Sequence, residues 1–226
     1  MKLFVDSANL RDIGDALERG FVAGVTTNPS ILSKEERRDY REHIADIVDL
    51  LTKHARPLPL SVEVFTTDPD EMIVQAESFV DQFGDYKPLT IKIPVGWNEL
   101  RVIATLAERG IAVNATCGMS LNQAMMAVNA GARYISLFWG RIRDTGYDAG
   151  IVVQQVRSVM DRGDAEAEII VGSIRHIMDV NEAALAGAHI VTVPPAFFPK
   201  LCQHPKTDEA VTQFVEDFRS WMAPGG

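Results

Sequence analysis

The sequence has few cysteines, few histidines and no long apolar segment. Its 226 residues contain two cysteines, Cys117 and Cys202, which lie far apart and lack metal-ligand spacing. That usage indicates a reducing, cytoplasmic compartment. The five histidines include no pair at ligand spacing, so we expect no metal site. No apolar segment approaches the roughly 20 residues of a membrane span. The charged Lys2 also precedes any segment that could act as a signal peptide, so we expect no membrane partner.

Positive charge is also scarce. The chain has 22 Lys and Arg against 31 Asp and Glu, which gives a formal net charge of -9, and no basic cluster stands out. Nucleic acid is therefore excluded as the main partner. A few local arginines can still bind an anionic small molecule inside an acidic protein. Hydrophobic content of 46% and charged content of 23% are typical of a globular protein, and the length fits one domain, residues 1–226.

Short segments rich in Val and Ile alternate with amphipathic helical segments along the chain. Such short apolar segments are typical of strands that are buried on both faces of a parallel sheet. We predict strands at Lys2–Asp6, Phe21–Thr26, Leu60–Phe65, Leu89–Val95, Ile111–Thr116, Tyr134–Phe138, Glu168–Ser173 and His189–Val193. We predict helices at Leu10–Arg19, Tyr40–His54, Glu71–Phe83, Asn98–Arg109, Ser120–Asn129, Asp148–Arg162, Met178–Ala186 and Thr207–Met222. Four of these helices should be closed by Gly20, Gly110, Gly131 and Gly187.

This alternation predicts a single α/β domain with the fold of a TIM (β/α)8 barrel. Eight βα units in about 220 residues would give a barrel near its minimum size. A doubly wound sheet is the alternative, but the first predicted strand ends in Asp6-Ser7-Ala8-Asn9, without the glycine-rich turn expected there. The last segment, at about 207–222, is expected to form a C-terminal helix that packs on a neighbouring subunit.

Polar residues recur at the carboxyl ends of the predicted strands, where TIM barrels carry their active sites. They are Asp6, Asn28, Glu63, Lys92, Asn114, Thr116 and Ser173. Side-chain alternation directs the aliphatic neighbours of Glu63 and Lys92 toward the helices. These two polar side chains are therefore expected to face the barrel interior.

Lys92 is the most informative of these residues. Lysine is rarely buried unless it is paired or functional, and burial disfavours its charged form. A neutral amine in the barrel would be a nucleophile able to condense with a ketone. Asp6 and Glu63 could carry the accompanying proton transfers. The alternatives are a barrel-filling ion pair between Lys92 and one of these carboxylates, a strand-end cap for Asp6, and simple turn chemistry for Asn28 before Pro29.

Arg141, Ser173 and Arg175 are the candidate phosphate ligands. A hydroxyl together with two guanidinium groups suits a dianionic phosphate. The loops after the late strands of a TIM barrel are also its customary phosphate site. Solvated surface arginines are the alternative, and we interpret Arg143 as a surface or loop charge.

Six segments carry a family resemblance. The most specific are Gly-Val-Thr-Thr-Asn-Pro-Ser-Ile at residues 24–31 and Ile-Lys-Ile-Pro at residues 91–94. The others are Phe-Val-Asp-Ser-Ala at 4–8, Asn-Ala-Thr at 114–116, Gly-Arg-Ile at 140–142 and Gly-Ser-Ile-Arg-His at 172–176. In these segments the chain resembles the transaldolase family, in the short branch that it shares with fructose-6-phosphate aldolase. The resemblance covers nearly the whole chain in colinear order.

The resemblance implies a class I mechanism without metal or cofactor. Lys92 would form a Schiff base with a ketose phosphate such as fructose 6-phosphate or sedoheptulose 7-phosphate. Retro-aldol cleavage would release an aldose, and the bound dihydroxyacetone unit would add to an aldose phosphate acceptor. By position, Asp6 would take a hydroxyl proton, while Glu63 and Thr116 would hold the catalytic water. The implied substrate-binding residues are Asn28, Asn114, Phe138, Arg141, Ser173 and Arg175.

Two positions bear on whether the enzyme transfers the dihydroxyacetone unit or releases it. The aldolases of this branch typically carry Gln and Tyr where this chain has Glu63 and Phe138. Both residues therefore favour a transaldolase. The alternatives are an aldolase that releases free dihydroxyacetone, a sugar-phosphate isomerase or epimerase, and a sugar-phosphate-binding barrel without turnover. A fold alone does not decide among these functions.

The chain departs from the family pattern around the predicted barrel mouth, at Trp97, Cys117, Trp139 and Arg143. These departures leave the acceptor aldehyde open and allow a specialised sugar pathway as well as the pentose phosphate pathway. The resemblance further implies a homopentamer or a homodecamer.

Overall fold

Eight parallel strands form a closed barrel in the computed structural model, which describes residues 1–55 and 57–223. The strands follow one another around the barrel in chain order, and the last pairs with the first. They are β1 (Lys2–Asp6), β2 (Val22–Thr26), β3 (Leu60–Glu63), β4 (Leu89–Pro94), β5 (Val113–Gly118), β6 (Tyr134–Phe138), β7 (Glu168–Gly172) and β8 (Ile190–Val193). The predicted TIM barrel is confirmed, and each predicted strand overlaps an observed one.

Helices connect the strands, and further helices follow β8. They are α1 (Leu10–Glu18), α2 (Pro29–Leu32), α3 (Tyr40–Thr52), α4 (Pro69–Phe83), α5 (Glu99–Glu108), α6 (Leu121–Asn129), α7 (Trp139–Asp144), α8 (Ala149–Arg162), α9 (Ile177–Leu185), α10 (Phe198–Cys202) and α11 (Pro205–Met222). Side chains of Asn9, Asp39, Asp68 and Ser120 accept backbone hydrogen bonds at the starts of α1, α3, α4 and α6. The four glycines predicted to close helices all have positive φ, between 74° and 97°.

The chain divides into two compact units. Met1–Pro195 forms the first, which contains the barrel and α1–α9. The chain from Ala196 onward forms the second, which contains α10 and α11. One domain over residues 1–226 stays a prediction, and residues 56 and 224–226 of that range lie outside the described part of the chain. None of the helices in that described part has the length and apolar character that crossing a bilayer requires.

Apolar side chains fill the barrel toward the amino ends of the strands. Phe4, Tyr134, Ile170 and Ile190 form a buried cluster in which residues of β1, β6, β7 and β8 meet. Gly24 on β2 makes room for this cluster, because a Cβ atom there would lie 2.4 Å from the Phe4 ring. The barrel is therefore packed solid at this end.

Polar side chains replace the apolar ones further along the strands. The inward positions near the carboxyl ends carry buried polar residues, namely Thr26, Ser61, Lys92, Asn114, Thr116, Ser136 and Thr192. The alternating positions carry aliphatic residues such as Val62, Ile91 and Ile93, which are fully buried against the helix layer. The strand pattern thus directs the polar groups toward one end of the barrel.

Two short helices at that end are absent from the predicted elements. α2 has four residues and follows β2, while α7 has six residues and follows β6. Both are shorter than two helical turns, so an apolar periodicity could not reveal them. They carry residues that line the cavity described next.

Candidate active site

A cavity of about 370 Å³ lies at the carboxyl ends of the strands. Its lining residues are Asp6, Thr26, Asn28, Pro29, Ser30, Ile31, Glu63, Lys92, Thr116, Cys117, Ser136, Phe138, Arg141, Gly172, Ser173 and Thr192. The structure thus brings together eight of the ten predicted site residues. The other two, Asn114 and Arg175, do not line the cavity.

The amine of Lys92 is buried in the wall of this cavity. Strand pairing places Lys92 on β4 directly beside Glu63 on β3. Lys92 Nζ lies 2.7 Å from Glu63 Oε2 and donates a hydrogen bond to the backbone oxygen of Thr27 at 2.8 Å. The two side chains are 5% and 13% exposed. The ion pair considered as an alternative is therefore present, but it faces a cavity rather than packed side chains. A ligand can meet the amine and its proton acceptor together.

Asp6 supplies a second carboxyl group to the same cavity. Thr26 Oγ1 donates a hydrogen bond to Asp6 Oδ1 at 2.8 Å and lies 2.5 Å from Thr192 Oγ1. Because the Thr26 proton goes to Asp6, Thr192 is the donor between the two hydroxyls. Burial raises the pKa of Asp6, although the nearby Lys92 charge and the Thr26 hydrogen bond oppose the rise. A carboxyl group of this kind is suited to accepting and returning a proton.

Asn114 lies beneath the lining residues instead of among them. Its Nδ2 donates to Ser61 Oγ at 3.3 Å, and its Oδ1 accepts from Ser136 Oγ at 2.7 Å. Ser136 itself lines the cavity. Two residues along β5, the hydroxyl of Thr116 is buried in the cavity wall, and its contact with the thiol of Cys117 falls short of a regular hydrogen bond. It is therefore placed to bond to a molecule inside the cavity.

Asn28 lines the cavity and also starts a helix. Its Oδ1 accepts a hydrogen bond from the backbone N–H of Ile31 at 3.0 Å, which caps α2. The turn role considered as an alternative is thus real. A molecule in the cavity would meet the amide Nδ2 of Asn28.

Helix α7 and the loop after β7 form the opposite wall. Arg141 on α7 lies with its Cζ 5.9 Å from the centroid of the Phe138 ring. The backbone N–H of Gly140 donates to the oxygen of Ser173 at 3.1 Å. Ser173 has a φ of 58°, a left-handed conformation that non-glycine residues adopt at a cost of order 1 kcal/mol. The loop that carries Ser173 is therefore held to the start of α7.

Arg175 follows in this loop, but its guanidinium group lies on Asp144. Arg175 Nη1 and Nη2 donate to Asp144 Oδ1 and Oδ2, both at 2.6 Å. These hydrogen bonds lower the pKa of Asp144, and the nearby charge of Arg141 acts in the same direction. The structure thus places two of the three predicted phosphate ligands, Arg141 and Ser173, in the cavity wall, and the third, Arg175, on the carboxylate of Asp144.

Arg143 is a surface charge, with a side chain that is 53% exposed, and it also has a buried partner. Its Nη1 lies 2.9 Å from Oδ1 of Asp179, which is only 1% exposed. Oδ2 of Asp179 accepts from the backbone N–H groups of Arg175 and His176 at 2.9 and 2.8 Å. Asp179 therefore fixes the backbone of the loop and starts α9. Residues 143 and 179 are far apart in sequence, so no local sequence pattern predicts this ion pair.

Several cavity residues were missed by the sequence reasoning. Thr26, Ser136 and Thr192 could have been found, because each occupies the inward position two residues from another inward residue on its strand. Tyr40 was also missed. Its hydroxyl is 3.5 Å from the backbone oxygen of Glu63, and burial, reinforced by the Glu63 charge, strongly raises its pKa. Tyr40 therefore stays protonated beside the site.

The departures from the family pattern lie in different surroundings. Cys117 lines the cavity with a φ of 60°, and burial followed by the Glu63 charge raises the pKa of its thiol. The thiol is thus held in its neutral form. Trp139 is buried, whereas Trp97 is 82% exposed. Of these four residues, Cys117 lines the cavity, and Arg143 pairs with Asp179, which holds the loop after β7.

Fold and cavity together define a (β/α)8 barrel with an interior amine, two carboxyl groups and an arginine at the carboxyl ends of its strands. Within residues 1–55 and 57–223, no group of His, Cys, Asp and Glu side chains could hold a metal ion.

Comparison with known proteins gives the family. The sequence model of the transaldolase/fructose-6-phosphate aldolase family matches residues 3–223. A probable transaldolase of Alkaliphilus metalliredigens is 38% identical over 218 residues, covering 96% of this chain and 98% of that protein. Probable transaldolase 2 of Listeria monocytogenes is 38% identical over 226 residues and all of both chains. A probable transaldolase of Lactiplantibacillus plantarum is 39% identical over 223 residues, or 99% of each.

The chain belongs to the transaldolase/fructose-6-phosphate aldolase family. It is accordingly an enzyme of the transaldolase type. The family description covers both transfer and aldol cleavage, so the choice between them depends on the residues of the cavity.

Proposed function

We propose that this enzyme is a transaldolase that moves a dihydroxyacetone unit from a ketose phosphate to an aldose phosphate. Fructose 6-phosphate and sedoheptulose 7-phosphate are the proposed donors. The observation that carries the proposal is the Lys92 amine, buried in the cavity wall 2.7 Å from Glu63 and sharing that cavity with Asp6. An amine, a proton acceptor and a second carboxyl group are the three parts that Schiff-base aldol chemistry needs.

The first step is formation of the Schiff base. Lys92 Nζ transfers a proton to Glu63 across their 2.7 Å contact and becomes a neutral nucleophile. It attacks the ketone carbon of the donor, whose oxygen takes up a proton to give a carbinolamine. Glu63 returns its proton to that hydroxyl, which leaves as water, and the resulting protonated imine carries the positive charge formerly on Lys92.

The second step breaks the carbon–carbon bond. Asp6 accepts the proton of the hydroxyl on the carbon beyond the bond that breaks, so this carbon becomes the aldehyde of the released aldose. The bonding electrons move to the imine nitrogen and leave a neutral enamine. Burial raises the pKa of Asp6, which makes its carboxylate a stronger base for this proton than an exposed aspartate would be.

The third step reverses the second with a new partner. The enamine carbon attacks the acceptor aldehyde, and Asp6 returns its proton to the new hydroxyl. Water then hydrolyses the imine and restores the Lys92 amine. We assign the positioning of this water to Glu63 and to Thr116, whose buried hydroxyl makes no regular hydrogen bond within the described residues.

Four of the remaining cavity residues, Asn28, Phe138, Arg141 and Ser173, would bind the substrate. Asn28 offers its amide to a donor hydroxyl, and Phe138 packs on the carbon chain. Asn114 would act indirectly, because its Oδ1 accepts a hydrogen bond from Ser136 Oγ at 2.7 Å and so orients that hydroxyl. Arg141 and Ser173 lie in the wall where a phosphate would bind, with Arg175 on the adjoining loop.

Transfer is favoured over release by two residues. A carboxylate at Glu63 paired with Lys92 and an apolar ring at Phe138 change how water and protons reach the enamine. Protonation of the enamine, which would free dihydroxyacetone, is then slower than its addition to an aldehyde. Release of dihydroxyacetone, the activity of an aldolase, is the second candidate function.

Borohydride trapping tests the central claim. The protein is incubated with fructose 6-phosphate, reduced, digested and analysed by mass spectrometry. We expect a reduced dihydroxyacetone adduct on the Lys92 peptide. Lys92→Met should abolish both adduct and turnover, whereas Lys87→Met, an exposed lysine just before the same strand, should retain both. An unmodified Lys92 peptide in a protein that still turns over would refute the proposal.

The partners and the location are proposed on a separate basis. Resemblance to the short family members favours a homopentamer or homodecamer. α11 supports self-association because its apolar residues recur at helical spacing and are all exposed, namely Val211, Phe214, Val215, Phe218 and Trp221. We further propose a cytoplasmic location, supported by two free cysteines and an acidic composition.

A further inference from the structure

Arg175 does not point into the cavity that its loop helps to form. Its side chain lies against Gly140 at the start of α7, where a Cβ atom would come within 2.6 Å of Arg175 Nε. From there the guanidinium group reaches Asp144, one turn further along the same helix, and both of its terminal nitrogens bond to that carboxylate. Both terminal nitrogens of Arg175 are thus bonded to Asp144, outside the cavity.

Asp144 stands between two guanidinium groups. Arg141 lies three residues before it on α7 and lines the cavity together with Ser173. The charge of Arg141 is close enough to act on the Asp144 carboxyl group. A phosphate bound by Arg141 and Ser173 would therefore lie near the negative carboxylate of Asp144. It would also lie near Arg175, whose guanidinium group is already bonded to that carboxylate.

We propose that Asp144 is a competing latch that holds Arg175 away from the substrate phosphate until the phosphate takes its place. The inference rests on the phosphate site proposed above. On binding, the dianionic phosphate would accept the two hydrogen bonds that Asp144 accepts here. Asp144 acts through Arg175 and so is a positioning residue. Its chemistry makes the enzyme bind phosphorylated sugars less tightly than Arg141, Ser173 and Arg175 alone would allow.

The exchange is feasible because the pair is exposed. The side chains of Arg175 and Asp144 are 47% and 53% exposed, so water and salt screen their attraction and can solvate both groups as they separate. A phosphate can accept hydrogen bonds from the same two guanidinium nitrogens, and it carries more negative charge and more acceptor oxygens than the Asp144 carboxylate does. The side chain can therefore change partners at small cost.

The loop backbone need not move in this exchange. Asp179 holds the backbone N–H groups of Arg175 and His176 and is itself paired with Arg143. Asp179 is almost fully buried, so its carboxyl group stays bonded to the loop backbone, although the Arg143 side chain is 53% exposed. One pair fixes the loop, and the other, next to it on α7, is free to exchange.

Titration of the full-length protein with inorganic phosphate tests the latch. Asp144→Asn keeps the shape of the side chain and removes its charge. By calorimetry we expect the Kd for phosphate to fall by about three- to tenfold, because a competing ion pair and a repulsive charge are both removed. The KM for fructose 6-phosphate should fall in parallel. Asp161→Asn is the matched control, because it removes the same charge from the exposed Arg157–Asp161 pair near the end of α8; it should leave both values unchanged.

A double-mutant cycle distinguishes a latch from a structural effect. In an Arg175→Ala background, the further change Asp144→Asn should give at most the small gain expected from removing one negative charge. Asp144→Ala should reproduce the effect of the Asn variant. Unchanged or weaker phosphate binding in both Asp144 variants would overturn the proposal, because it would mean that Asp144 is neutral or aims Arg175 at the ligand.

The outcome is separable from that of the proposed function. Phosphate affinity is measured without turnover, so it reports on the latch even if no adduct forms on Lys92. If the Lys92 adduct forms and phosphate affinity does not respond to Asp144, the latch fails while the transaldolase proposal stands.

Discussion

At the residue scale, Asp6 joins a chemical role to a cost in stability. Burial raises the pKa of its carboxyl group above the 3.8 of an unstructured aspartate. A raised pKa means that the folded state binds the proton more tightly than the unfolded state does. The contribution of this group to stability is therefore complete below pH 3.8 and is lost as the pH rises through the folded pKa.

Asp6→Asn should reveal both effects. We expect kcat to fall by about 10²–10⁴-fold, because the proton acceptor of bond cleavage is removed. The free energy of unfolding should rise relative to wild type at pH 7, and this gain should shrink as the pH is lowered toward 3.8. Urea unfolding across this pH range measures it, with Asp85→Asn, an exposed aspartate, as control. A gain that is independent of pH would contradict the burial argument.

Glu63 and Phe138 make a second pair of residue-scale predictions. Glu63→Gln removes the charge that faces Lys92 at 2.7 Å, and Phe138→Tyr adds a hydroxyl to the cavity wall. Together they should increase the release of dihydroxyacetone relative to transfer by about tenfold or more, a change of about 1.4 kcal/mol between the two barriers. Parallel assays with and without an acceptor aldehyde measure the ratio.

The matched control adds a hydroxyl to an aromatic ring outside the cavity lining. Phe65→Tyr, two residues beyond β3, should leave the ratio of release to transfer unchanged. If the Phe138→Tyr and Phe65→Tyr variants behave alike, position 138 does not control the partition.

Much of the site follows from strand alternation, and the remainder does not. Glu63 and Lys92 are inward because their neighbours are aliphatic, and the sequence reveals this directly. The engagement of Arg175 by Asp144 joins residues 31 positions apart and depends on how a loop folds over Gly140. The bridging role of Asn114 likewise depends on Ser61 and Ser136, from two other strands. Such contacts are tertiary, so no periodicity encodes them.

At the element scale, the start of α7 depends on the absence of a side chain at Gly140. A Cβ atom there would lie 2.6 Å from Arg175 Nε and 2.7 Å from the oxygen of Ser173. The second of these is a backbone atom that cannot simply rotate away. The junction between α7 and the loop after β7 therefore tolerates only glycine.

Gly140→Ala should loosen this junction. We expect a loss of about 1–3 kcal/mol in the free energy of unfolding, since overpacking forces the backbone apart. The KM for fructose 6-phosphate should rise, because Ser173 would shift. Gly14→Ala, in α1 with no atom within 4 Å of the new Cβ, should instead stabilise the protein by about 0.5–1 kcal/mol. Equal effects of the two substitutions would show that Gly140 is not packed as described.

Long elements were predictable and short ones were not. Each strand is a compact Val- and Ile-rich segment between turn residues, and glycines with positive φ close four helices, so these boundaries are written locally. α2 and α7 consist of four and six residues. α7 also begins at Trp139, directly after Phe138, whose side chain forms no capping hydrogen bond. α2 starts with a capping asparagine and a proline, Asn28 and Pro29, but neither helix is long enough to show an apolar periodicity, although both carry residues that line the cavity.

At the scale of the whole molecule, α11 bears on the proposed assembly. Its apolar residues lie on one helical face and are exposed to solvent, an arrangement that favours burial against another surface. Phe218→Glu should lower the molecular mass measured by light scattering toward that of one chain, 24.9 kDa. Gln213→Glu introduces the same charge at a residue outside the apolar set and should leave the mass unchanged. If both variants keep the wild-type mass, α11 is not the contact.

A kinetic consequence follows from the buried cluster of Phe4, Tyr134, Ile170 and Ile190, which packs against Gly24. Because this cluster closes the barrel interior on the amino side of the cavity, we expect every sugar to enter and to leave at the carboxyl ends of the strands. The first aldehyde must depart before the second can enter, so the two half-reactions alternate. Double-reciprocal plots of initial rate against ketose concentration, recorded at several acceptor concentrations, should be parallel lines. Each aldehyde in excess should compete with the ketose for entry into the cavity.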